Sequence, residues 1–125
     1  MSLESELYNW LKTNVMLVAN RVYAVVAPQD VISPYLVFTR ISDVPDYTLE
    51  GASGLSVCRV QFTAVSATYG SARAVIAQLE AALSGFRGAL GGLSVSSVFK
   101  ELETDSYDPE ALLYQSIADY MFTLN

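Results

Sequence analysis

The order of patterned segments predicts an α+β fold, a two-layer domain in which a mostly antiparallel β-sheet carries two main helices on one face. Three observations lead there. Leu3, Leu7, Trp10 and Leu11 recur at helical spacing, as do Ala72, Val75, Ile76, Leu79, Ala82 and Leu83, so two segments each carry one apolar stripe. The stretches between and after them alternate with period two, the mark of half-buried strands. At 125 residues and 52% hydrophobic composition, the chain has the commonest size for one domain and no room for two cores, so residues 1–125 read as a single domain.

The first helix runs from about Leu3 to Thr13, with Ser2 placed as N-cap and Glu4 and Glu6 in the first turn, where they suit the helix dipole. Met16 to Ala19 adds a short turn. Arg21 to Ala27 is extended until Pro28 stops it. Tyr35 to Ser42 is a strand with Leu36, Phe38 and Arg40 on one face. Residues 43–54 carry Pro45, Gly51 and Gly54 and little periodicity, which predicts a long hairpin loop. The strand Leu55 to Ala67 follows, with Cys58, Val60, Phe62 and Ala64 inward and Arg59, Gln61 and Thr63 outward.

The second helix is the best-marked element: Thr68 caps it and Gly85 ends it. Phe86 to Leu90 and Leu93 to Glu103 flank Gly91-Gly92, a two-residue hairpin signal. Pro109 breaks the chain again, and Leu112 to Leu124 is a final strand with Tyr114, Ala118, Tyr120 and Phe122 on one face.

Composition excludes more than it assigns. The chain has no histidine, so the usual triads and imidazole metal ligands are missing. Its one cysteine, Cys58, lies in an apolar strand pattern and reads as a buried structural thiol. With a net charge of −6 and only scattered basic residues, nothing forms the stripe that phosphate neutralisation needs. The start lacks the pattern of a signal peptide and no apolar run approaches a membrane span, which predicts a protein made soluble in the cytoplasm.

The constellations point away from catalysis. Glu101, Glu103, Asp105, Asp108 and Glu110 lie within ten residues, but a calcium loop wants glycine where Ser106 stands and glutamate where Leu112 stands. They read as a solvated strand end and turn. Gly51-Ala52-Ser53-Gly54 lacks the lysine and the following helix of a phosphate loop. Ser94, Ser96 and Ser97 have only Lys100 nearby to activate them. No catalytic residue, cofactor or metal site is expected. The 8 tyrosines and the apolar surplus suit a symmetric protein assembly, and Tyr47 and Tyr107, read as loop residues, are candidate interface anchors.

Four stretches together resemble one family. They are Ser2-Leu3-Glu4-Ser5-Glu6-Leu7-Tyr8; Arg21-Val22-Tyr23 through Ala27-Pro28-Gln29 to Pro34-Tyr35-Leu36-Val37-Phe38 and Arg40-Ile41-Ser42; Leu49-Glu50-Gly51 through to Leu83-Ser84-Gly85-Phe86-Arg87-Gly88; and Glu101 to Asp108 followed by Tyr114-Gln115-Ser116. In this order they are similar to the tail-completion (tail-terminator) proteins of long-tailed bacteriophages, prophages and gene-transfer particles. The resemblance implies a virion structural protein and no enzyme. It implies a homo-oligomer, a hexameric ring, that caps the tail tube protein at the head–tail interface and ends tube growth. A connector or stopper protein of the head then joins the ring, and DNA passes through without specific binding. No cofactor and no membrane are implied. Within this picture Asp43, Asp46, Tyr47, Glu50 and Tyr107 are the expected interface or lumen residues, the acids serving to repel phosphate. The alternatives are another neck component, or a small-molecule or peptide-binding domain with a pocket between helices and sheet.

Overall fold

The computed structural model describes residues 3–18, 21–27, 33–48, 51–90 and 93–124. The elements are α1 (Leu3–Asn14), a 3-10 turn (Met16–Val18), β1 (Val22–Ala24), β2 (Tyr35–Thr48), β3 (Gly51–Ser66), α2 (Tyr69–Leu83), β4 (Gly88–Leu90), β5 (Leu93–Asp108) and β6 (Leu113–Leu124). All six strands form one curled sheet in the order β1-β2-β3-β6-β5-β4. Every pairing is antiparallel except β1 with β2. The α+β expectation holds, with two helices against one side of a mostly antiparallel sheet. No helix among the described residues is long and apolar enough to cross a membrane.

α2 forms as its sequence dictates. Thr68 sits at the N-cap in extended conformation, and its hydroxyl accepts the Ser71 N–H. Ala72, Val75, Ile76, Leu79 and Leu83 are buried. Gly85, at φ +75°, turns the chain out of the helix. Its N–H then bonds the Val98 carbonyl of β5 at 3.1 Å, fastening the helix end to the sheet. α1 buries Leu7 and Leu11, and Trp10 meets Phe86 edge-on with ring centroids 5.8 Å apart. The Ser2 cap and the Gly91-Gly92 turn lie outside the described residues, though Leu90 and Leu93 on either side of the turn are paired.

The core lies between the helices and the inner face of the central strands. β3 contributes Cys58, Val60, Phe62 and Ala64, and β6 contributes Ser116, Ala118, Tyr120 and Phe122. Phe62 is the hub, with ring centroids 6.5 Å from Phe38, 5.7 Å from Tyr120 and 6.4 Å from Phe122. It thus joins β2 to β6 across β3.

The structure corrects three readings. The loop assigned to residues 43–54 is mostly strand: Asp43 pairs with Cys58, Pro45 with Ser56 and Thr48 with Gly51. Pro45 is tolerated because β2 is an edge strand there, beyond the reach of β1, where a missing N–H breaks no second ladder, and Gly51 and Gly54 lie in the part of β3 past its pairing with β6. Second, β5 runs to Asp108, so Asp105, Tyr107 and Asp108 are strand residues and not part of a turn. The long β6 supplies each with a backbone partner. Third, the extended segment 21–27 is a strand only over Val22–Ala24. Val25 has φ +70° and lies at the centre of a γ-turn closed by the Val26 N–H on the Ala24 carbonyl at 2.8 Å. This backbone is rare for a β-branched residue.

Because Phe62 is fully buried with three aromatic neighbours, Phe62→Ala should lower the unfolding free energy by about 3–5 kcal/mol in urea titration. A loss below about 1 kcal/mol would show that the hub has been misplaced.

Candidate functional site: acidic ends and open edges

The sites read from sequence fall at opposite ends of the sheet. Asp43, Asp46 and Tyr47 belong to the distal half of β2, and Glu50 lies outside the described residues. The β3–β6 pairing reaches Ser56 opposite Leu124; past it Gly51 and Ala52 of β3 pair with Thr48 and Tyr47 of β2, and a register shift between Pro45 and Tyr47 takes up Ser53 to Leu55. Among the described residues the hairpin therefore leaves the sheet as a two-stranded arm, about 10 Å long over residues 46–48 of β2 at a strand's rise per residue. Between Ile41 and Cys58 the sequence holds Asp43, Asp46 and Glu50 and no lysine or arginine. Tyr107 sits elsewhere. It pairs with Tyr114 near the other end of the sheet, with ring centroids 4.6 Å apart. Eight residues of β6 separate that row from Asp43's row, about 27 Å. Tyr107 is on a strand and not a loop, and the backbone does not bring it to Asp43, Asp46 or Tyr47.

Two of the four carboxylates of β5, Glu103 and Asp105, are not a plain solvated strand end. Arg73 of α2 reaches Glu103 Oε2 at 2.8 Å and Asp105 Oδ1 at 3.4 Å. Lys100 Nζ bonds Glu80 Oε1 at 2.7 Å and lies 3.4 Å from Glu103 Oε1. Tyr69 and Ser116 donate to Asp105 at 2.9 and 2.8 Å. This net staples α2 to β5 at the lateral border of the core, level with Tyr120, Ala118 and Ser116 of β6. Glu101 is exposed and occupies a bulge between Lys100 and Leu102, so it does not continue a simple alternation with Glu103.

The charges follow the contacts. Burial pushes the Glu103 carboxyl up, but the hydrogen bonds and charges of Arg73 and Lys100 outweigh it and hold the group below the usual range. The Ser116 hydrogen bond does most to lower Asp105, followed, against the cost of burial, by Tyr69 and Arg73. The Lys100 ammonium is held above its ordinary value, first by Glu80. A lysine that activates serine needs the opposite shift, so the Ser–Lys pairing has no support here. Cys58 is buried, and no three His, Cys, Asp or Glu side chains converge among the described residues. The space between helices and sheet, where a pocket was the alternative, is occupied by Leu7, Leu11, Ile76, Leu79, Phe62 and Tyr120.

On the sheet face away from α2, Arg59 donates to Asp119 Oδ2 from Nε at 3.1 Å and from Nη2 at 2.7 Å. Asp119 Oδ1 is buried without a partner among the described residues. Nothing in the local pattern announces this pair, because its members are 60 positions apart.

Two carboxylates with depressed folded pKa values stabilise the fold fully above the ordinary carboxylate pKa, and that contribution is lost as pH falls through the folded values. Melting temperature should therefore drop as pH is taken from about 5 to 3. Arg73→Gln should cost about 0.5–1 kcal/mol at neutral pH and show a shallower acid loss over the same window. Parallel pH profiles for the two proteins would contradict the staple.

Comparison with known proteins completes this picture. No curated protein sequence matches the chain significantly. Its fold is similar to a chain in the virion of a native gene transfer agent (GTA) particle, with a TM-score of 0.81, 17% sequence identity, and coverage of 98% of this chain and 94% of that one. At that identity the likeness concerns the fold. The family model described as tail completion protein gp17 matches residues 5–125, nearly the whole length, and the chain belongs to that family.

Proposed function

We propose that the protein closes a tail tube as a six-membered ring of its own copies, ends tube growth and presents the surface to which a DNA-filled head is joined. Family membership supports a structural role in the tail, and the fold shared with a gene-transfer virion component agrees with it. The observation that carries the finer reading is the acidic arm. A two-stranded ribbon without a third strand is marginal in water, so this one is best explained by a surface that braces it in the assembly. The arm spans the distal ends of β2 and β3 and its sequence carries Asp46 and Glu50 without a base, with Asp43 at its root where β6 still pairs with β3. Such an arm beside a channel repels DNA phosphates and lets the duplex pass without sticking.

The test mixes purified protein with tube subunits from the same genome and follows mass by light scattering and tube ends by electron microscopy. A ring on one end of tubes of arrested length is expected. A protein that stays monomeric and leaves tubes growing would contradict the reading. Replacing Asp43, Asp46 and Glu50 by serine together should preserve capping yet slow DNA exit or weaken head joining in particles. Particles indistinguishable from wild type in infectivity would remove the arm from that role.

A further inference from the structure

The geometry points to the two lateral edges of the sheet as the two halves of the contact between copies, the β1–β2 edge of one subunit docking on the β4–β5 edge of the next. This rests on the ring reading above and adds which surfaces meet.

Four observations on the sheet lead to it. First, both edges are stepped, and the steps are complementary. β1 covers β2 at Leu36, Val37 and Phe38, and among the described residues no other strand pairs with that edge of β2. On the far side, β4 covers β5 at Leu93, Ser94 and Val95, and Gly85 takes the Val98 carbonyl. Beyond that point no strand among the described residues lies on the side of β5 away from β6. The short strands therefore shield opposite ends of their long neighbours. A subunit placed alongside at the same height sets β1 into the notch below β4. Open edges of this length invite pairing with another chain.

Second, the polarity is right. β2, β3, β6 and β5 alternate in direction and β1 runs with β2, so β1 and β5 are antiparallel. A neighbour generated by rotation about an axis along the strands keeps that relation, and the contact is head-to-tail, the kind that closes into rings.

Third, the exposed apolar side chains match in height. The Val25 N–H bonds the Phe38 carbonyl, which sets Val25 and Val26 beside Thr39 and Arg40. The ladder carries the Thr39 row through Gln61 and Asp119 to Leu102, and the Arg40 row through Val60 and Tyr120 to Lys100. Val25 and Val26 are 63% and 72% exposed at one edge, and Phe99 and Leu102 are 63% and 51% exposed at the other. The positive-φ turn at Val25 holds this valine pair outward at the cost of backbone strain, and such strain gathers where function requires it.

Fourth, the charges are opposite. Residues 21–27 and 39–42 hold Arg21 and Arg40 and no acid before Asp43 and Asp46 farther along β2, whereas residues 99–110 hold five acids, of which Glu103 and Asp105 are met by Arg73 and Lys100 and Glu101, Asp108 and Glu110 are not in that net. The Leu36 N–H bonds the Arg21 carbonyl, which places Arg21 toward the end of the sheet where Asp105 and Asp108 lie. Complementary edges of this kind also steer orientation.

Val26→Cys and Leu102→Cys test it, singly and together, with a short bismaleimide added to the assembled state identified by mass; buried Cys58 serves as the unreactive background. The double variant should give a ladder of covalent multimers, a 1:1 mixture of the single variants should give one dimer band, and either single variant alone should give none. Dimers from one single variant alone would mean that like edges meet and would overturn the head-to-tail assignment. A ring of the expected mass with no ladder would overturn the edge contact while leaving the ring intact. A wild-type protein that never assembles, with or without tubes, would overturn both. Should the double variant fail to fold, the mixture of singles decides alone.

Discussion

Burial of one face of the central β3–β6 pair beneath α2 is the constraint on which the remaining structure depends. Side chains alternate across a strand, so a slip of one residue would move Phe62, Tyr120 and Phe122 out of the core and Arg59 and Asp119 into it. The aromatic hub therefore pins the register of three strands together. With register fixed there, the outer strands follow. β2 and β5 each absorb a mismatch with a bulge, at Arg40/Ser42 and Lys100/Leu102, on nearly the same level of the sheet.

From that level outward the apolar logic gives way to charge. At the border of the core, β5 carries Lys100, Glu103 and Asp105, and α2 answers with Glu80, Arg73 and Tyr69. Exposed pairs of this kind contribute little each. Their effect is to keep a long, acid-rich strand straight along the helix while its other edge stays open. Past the end of the β3–β6 pairing, no third strand lies beside the β2–β3 arm among the described residues. The same domain is thus a firm centre with unfinished borders, which is the arrangement expected of a subunit completed by its neighbours.

How much of this was readable beforehand depends on how local the signal is. α2 was readable whole, because Thr68, the apolar stripe and Gly85 are all local signals and each does what its chemistry predicts. β3 was readable from its alternation. Residues 43–54 were misread because Pro45, Gly51 and Gly54 are poor strand formers, and only pairing across the hairpin reveals them as strand. The run Asp105 to Asp108 resembles a turn in composition, and its strand is decided by pairing with β6 and by Arg73, 32 positions from Asp105. Val25 carried no signal at all, since its φ is imposed by the bonds around it. The site residues fared likewise: the acids of the arm were found as a charge pattern, while Tyr107 was grouped with them by a loop assignment that β5 does not support.

Peptide-level hydrogen exchange, comparing free protein with protein assembled on tubes, tests the central claim most directly. In the free state residues 39–48 and 99–108 should exchange faster than the paired centre of β3 and β6, because each has an open edge. On assembly both segments should gain protection together, with Val22 to Val26 included, while the exposed sides of α1 and α2 change little. Protection that appears on the helices and leaves both strand edges exchanging as before would contradict the account.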